Sequence, residues 1–109
     1  MLLVSKAEYV KDFLIKLSFN NNKSGVLNFK KIIFNDSRVI FNPLKNKEYF
    51  KNFSIKYDTL VWDNELDFAP EYLFYSLFQN VPEYFEIFKK WGYINTDSNA
   101  TNKAFTKPI

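Results

Sequence analysis

Phe13, Ile15, Leu17 and Phe19 alternate with Leu14, Lys16 and Ser18, a period of two that suits a strand with one buried and one wetter face. The polar run Asn20 to Gly25 follows, rich in residues that tolerate left-handed backbone or bond to their own main chain, and Val26-Leu27-Asn28-Phe29 resumes the apolar pattern. Residues 12–29 therefore read as a β-hairpin, with Lys6 to Val10 as a short strand before it. Ser54-Ile55-Lys56-Tyr57 and Thr59-Leu60-Val61-Trp62 are β-rich runs around Asp58, a tight hairpin expected to complete the same sheet.

Helix signals occupy the remaining segments. Asn42-Pro43 has the form of a cap and first-turn pair for a short helix over about residues 43–51, with Leu44, Tyr49, Phe50 and Phe53 on one side. Asp67 to Glu71 opens a helix at Pro70, and Asn80-Val81-Pro82-Glu83 opens another, over about 81–91, in which Phe85, Phe88 and Trp91 recur at helical spacing before Gly92. In residues 30–41, Ile32-Ile33-Phe34 and Val39-Ile40-Phe41 fit two short strands, or a helical turn plus a strand, equally well. The expectation is an α+β fold, a small antiparallel sheet of about four strands packed with two or three short helices, the last two at the C-terminal end. Residues 1–94 read as one domain and 95–109 as a polar, flexible tail.

Composition narrows the function. Thirteen Phe, seven Tyr and two Trp in 109 residues supply one core. No stretch approaches the roughly 20 apolar residues of a membrane span, and Met1 to Lys6 lacks the form of a secretion signal, so a cytoplasmic protein away from membranes is expected. Cys and His are both absent, which removes disulfides, Cys nucleophiles, Ser-His-Asp triads and Cys/His zinc sites. Gly25 and Gly92 are the only glycines, too few for a phosphate-binding loop. Thirteen Asn and fourteen Lys beside a single Arg match an AT-rich genome, bacterial or phage.

Asp63, Glu65, Asp67 and Glu71 are the one concentrated polar group. A calcium loop beginning at Asp63 would put Phe68 and Phe74 where Gly and Glu are needed, and Asp67 and Glu71 already complement a helix start. We assign no catalytic residue, no metal ligand and no cofactor, and expect no enzyme activity. Residues 1–62 carry 11 bases against 5 acids, 63–88 carry 6 acids and no base, and 89–109 carry 4 bases against 1 acid, giving +6, −6 and +3. The acidic band is also dense in aromatics, more than one helix face can bury against one sheet. Phe68, Tyr72, Tyr75, Phe78, Tyr84 and Trp91 are therefore the candidate contacts for another protein or a second copy of the chain. The alternative is nucleic-acid binding through Lys16, Lys30, Lys31, Lys45, Lys47, Lys51 and Lys56.

The segment from Thr59 to Tyr75, TLVWDNELDFAPEYLFY, resembles the most recognisable stretch of the bacterial domain-of-unknown-function family 2442: a Trp, an Asn-Gly turn, an Asp, then a Pro that opens a helix carrying Leu-Tyr. Trp62, Asn64, Asp67, Pro70, Leu73 and Tyr75 match that pattern, and the resemblance covers about residues 8–78. Glu65 stands where Gly is usual, so the turn must form without glycine's freedom, and Ala69 stands where a Ser-like cap is common, giving up about 1 kcal/mol. The resemblance implies a small α+β domain without established catalysis, acting as an antitoxin-like or accessory subunit beside the product of a neighbouring gene. The helix over 81–91 is an addition to the family pattern.

Overall fold

The computed structural model describes residues 1–94; the tail expected at 95–109 lies outside the described residues. The fold is α+β. Within the span read from the sequence as one domain, the chain packs as two compact units, Met1–Pro70 and a second that starts at Glu71.

The first unit begins with β1 (Val4–Lys11), β2 (Leu14–Phe19) and β3 (Ser24–Asn28), a three-stranded antiparallel sheet in sequence order. Ile15, Leu17 and Phe19 are buried while Lys16 is exposed, as the alternation requires. Gly25 sits within β3 opposite Leu17, and the turn before it is made by asparagines. Phe19 N–H donates to the Lys23 carbonyl at 2.9 Å, Asn22 N–H to the Phe19 carbonyl at 3.1 Å, and Asn22 takes φ +68°. Asn20 ties the chain start to this turn: its carboxamide accepts from Leu3 N–H and donates to the Met1 carbonyl.

Residues 30–41 form no strand; two helical pieces joined by a link at 35–38 stand there, which the apolar runs did not decide. Short helix α1 (Lys30–Phe34) leads to a 3-10 helix (Val39–Lys45), burying Ile33, Phe41 and Leu44. The helix expected over 43–51 is divided. Pro43 lies inside the 3-10 segment, and Asn46, extended at φ −89° and ψ 122°, stops it. The Asn46 side chain then caps α2 (Lys47–Phe50), accepting from Glu48 N–H at 2.8 Å and Tyr49 N–H at 3.3 Å, so the cap is Asn46 and not Asn42.

β4 (Ser54–Lys56) and β5 (Thr59–Val61) make the expected hairpin, but as a separate two-stranded sheet. One backbone bond, Val4 N–H to the Asp58 carbonyl at 3.0 Å, joins its turn to β1. Tyr57 and Asp58 both have positive φ, +55° and +64°, the type I′ geometry that matches strand twist. After β5, Trp62 N–H donates to the Leu66 carbonyl and Glu65 N–H to the Trp62 carbonyl, both at 3.0 Å, with Glu65 at φ +70°. This repeats the geometry of the 19–23 turn residue for residue, down to the central amide: Asn21 Oδ1 accepts from Lys23 N–H, as Asn64 Oδ1 does from Leu66 N–H. A bridge between Val61 and Asp67 continues the pairing, so Leu66 and Phe68 point inward and Asp67 outward.

In the second unit, α3 (Pro70–Phe78) opens at Pro70 as expected. A 3-10 turn (Pro82–Tyr84) follows, preceded by an extended Val81 with no side-chain cap, and α4 (Phe85–Trp91) ends at Gly92 with φ +87°. Among the described residues no helix is long and apolar enough to cross a membrane.

Glu65 supplies a direct test of the turn. Left-handed backbone costs a non-glycine residue about 1–2 kcal/mol, against about 0.5–1 kcal/mol of extra chain entropy for glycine. Glu65→Gly should therefore raise stability by about 0.5–1 kcal/mol, read as a higher urea midpoint with an unchanged slope; a lower midpoint would refute the turn geometry.

Candidate functional site

The resembling segment runs from β5 through the 62–66 turn of the first unit into α3. Buried Trp62 donates its indole N–H to the Phe50 carbonyl at 2.7 Å, and its ring meets those of Phe29, Phe50, Phe53 and Phe68 at 5.8–6.3 Å. Asn64 donates from Nδ2 to the Ile40 carbonyl at 3.0 Å, fixing the start of the 3-10 helix. Thr59, buried, donates its hydroxyl to the Phe68 carbonyl. Asp67 occupies the bridge with its side chain in solvent, Pro70 opens α3, and Leu73 is buried.

Beside this loop runs an open groove of about 560 Å³, lined among others by Asn52, Lys56, Tyr57, Trp62, Asp63, Glu65 and Asp67. Two of its residues hold left-handed backbone, Tyr57 and Glu65. Asp63 is oriented by Tyr49, whose hydroxyl donates to Oδ1 at 2.6 Å. Among the described residues no group of three or more acidic side chains gathers to hold a metal ion. The groove offers carboxylates, one ammonium, an amide and an aromatic rim.

The six residues expected to contact a partner do not form one exposed face. Phe68 belongs to the core of the first unit, its ring 5.6 Å from Phe29, 6.1 Å from Phe41 and 5.9 Å from Trp62, because the bridge at Asp67 turns it inward. Tyr75 is buried in the second unit, stacked on Tyr93 at 4.9 Å and edge-on to Phe88 at 5.1 Å. Phe78 and Tyr84 pack on Phe74 at 4.6 and 5.0 Å, Tyr72 on Tyr93 at 6.0 Å, and Trp91 on Phe88 at 5.8 Å. These last four remain half-buried. The surplus rings of α3 are thus largely covered by α4 and the residues around it, while α4 itself exposes Phe85 and Ile87. The sequence placed Tyr57 at the end of the first β-rich run; it lies instead in the turn, which it makes with Asp58.

Three phenols are held protonated beyond their usual range. Burial raises the Tyr49 pKa, with the Asp63 carboxylate adding to it. Burial does the same for Tyr75 and for Tyr93, which also feels Glu71. Stability tied to a raised phenol is fully present below its unfolded pKa of about 10 and drains away as pH rises through the higher folded value. Tyr49→Phe should therefore flatten part of the stability loss above about pH 10, measured by denaturant unfolding across alkaline pH; an unchanged alkaline profile would contradict the Tyr49–Asp63 coupling.

No curated protein and no solved structure matches the chain. Over residues 4–78 it matches the model of the family described as "Protein of unknown function (DUF2442)". That match spans β1 to β5 and α3 and leaves α4 beyond it. On this match, which covers well over half of its length, the chain belongs to the DUF2442 family.

Proposed function

We propose that the chain is a non-enzymatic protein-binding module, acting by occupying a partner as an antitoxin or an inhibitor subunit does. One observation carries this reading: Tyr57 is 86% exposed yet held at φ +55° on the turn bordering the groove. A type I′ turn forms most readily from Asn-Gly, and Tyr-Asp at these positions is strained. An aromatic ring kept in solvent on a strained, tightly hydrogen-bonded turn adds little to folding. It is well made for an interface, where Tyr is an enriched anchor.

The basic first half supports nucleic-acid binding less well. Lys47 pairs with Asp12 at 3.1 Å, Lys51 with Glu48 at 3.3 Å and Arg38 with Asp36 at 2.6 Å. Two of the lysines named for that reading, Lys47 and Lys51, and the one arginine already have carboxylate partners.

Tyr57→Asn separates contact from folding, since Asn accepts left-handed backbone more readily than Tyr. In a pull-down with the full chain from its native host, half of it nuclease-treated, the unaltered chain should retain a stoichiometric protein that Tyr57→Asn loses. The variant should melt at the same temperature or higher. A co-purifying nucleic acid that vanishes with nuclease, or a partner that Tyr57→Asn still holds, would refute the proposal.

A further inference from the structure

The end of α1 and the start of the 3-10 helix expose three large apolar side chains: Phe34 at 44%, Val39 at 78% and Ile40 at 39%. They fall within residues 34–40, between the buried Ile33 and the buried Phe41. Isolated exposed hydrophobics are ordinary; a local group of them on a fixed backbone marks a contact surface.

The backbone here is fixed. Asn64 holds the Ile40 carbonyl, and the Phe34 ring stands edge-on to Phe13 at 5.4 Å. The link between the helices is closed by Asp36, which accepts from Arg38 N–H and Nε–H on Oδ1 and from Nη2 on Oδ2. That pairing holds the Asp36 pKa down to about 2.

The surroundings are cationic. Lys45 Nζ lies 5.8 Å from the centre of the Phe34 ring, and the Arg38 guanidinium 5.2 Å from that of Phe41. Across residues 30–45, Lys30, Lys31, Arg38 and Lys45 stand against Asp36 alone, four cations to one carboxylate, net +3. An apolar centre with a basic rim is complementary to a segment bearing apolar and acidic side chains. Phosphate chains would leave Val39 and Ile40 unused. A membrane surface is bound by an amphipathic helix that lays one apolar face into the headgroups, and the exposed apolar side chains here are split between the end of one helix and the start of another.

We infer that residues 34–40, with Lys30, Lys31 and Lys45 around them, form a docking surface for an acidic, apolar segment of a partner protein. It is separate from the Tyr57 groove, so the two proposals fail separately.

The probe is a short fluorescent peptide that alternates Glu with Leu and Phe, titrated against the full chain by anisotropy. It should bind at low salt, weaken as salt rises, and lose about tenfold in affinity with Val39→Ser or with Lys45→Glu. Val39 is exposed, so Val39→Ser should keep its melting temperature, and Tyr57→Asn should bind the peptide as the unaltered chain does. The inference is overturned if the peptide does not bind or if Val39→Ser leaves its affinity unchanged. It is equally overturned if anionic vesicles or duplex DNA bind more tightly through Val39, or if sedimentation finds that this face pairs two copies of the chain.

Discussion

The first unit depends on the burial of one indole. Trp62 sits at the end of β5, donates to the Phe50 carbonyl at the end of α2, and packs on Phe29 after β3 and Phe68 beyond the turn. A fully buried aromatic side chain contributes roughly 1.5–3 kcal/mol, and each favourable ring pair a further 0.5–1.5 kcal/mol. The hydrogen bond matters differently. A buried indole N–H without an acceptor costs more than a satisfied one returns, so Phe50 must stay where its carbonyl can receive it. That places α2, and Asn46, which caps it, has little freedom left.

The same loop carries what the chain presents to solvent. Directly after Trp62, Asn64 reaches the Ile40 carbonyl, and Tyr49 next to Phe50 reaches Asp63. The buried indole thus fixes one wall of the acidic groove, and its neighbour Asn64 fixes the backbone of the basic, apolar stretch at 34–40. Two surfaces of opposite charge are held by one five-residue turn. Glu65 takes the left-handed position in that turn, where the matching position in the 19–23 turn has the better suited Asn22.

Much of the fold was legible because its signals are local. The alternation of Ile15, Leu17 and Phe19, the hairpin that turns around Asp58, Pro70 at a helix start and Gly92 at a helix end each follow from a few adjacent residues. The rest was decided across distance. Ile32-Ile33-Phe34 has no period of its own, and only Ile33 is fully buried. Asn42-Pro43 read as the cap, but the extended backbone of Asn46 moved the helix start four residues on. Phe68 and Tyr75 looked like surface anchors, because neither the bridge that turns Phe68 inward nor the Tyr93 ring that stacks on Tyr75 is written near them in sequence. The groove was legible only in part: Asp63, Glu65 and Asp67 were visible as acids, but Tyr57 joined them through folding.

The chain has two tryptophans, so its amide NMR spectrum has two indole N–H signals, and their hydrogen exchange tests the central role of Trp62 most directly. The Trp62 indole, 2% exposed and bonded to a buried carbonyl, should exchange only through global unfolding, with a free energy equal to that from denaturant melts. The half-buried indole of Trp91 should exchange far faster. Two equally protected signals would leave Trp62 with no special place, and a fast-exchanging Trp62 would contradict the account outright.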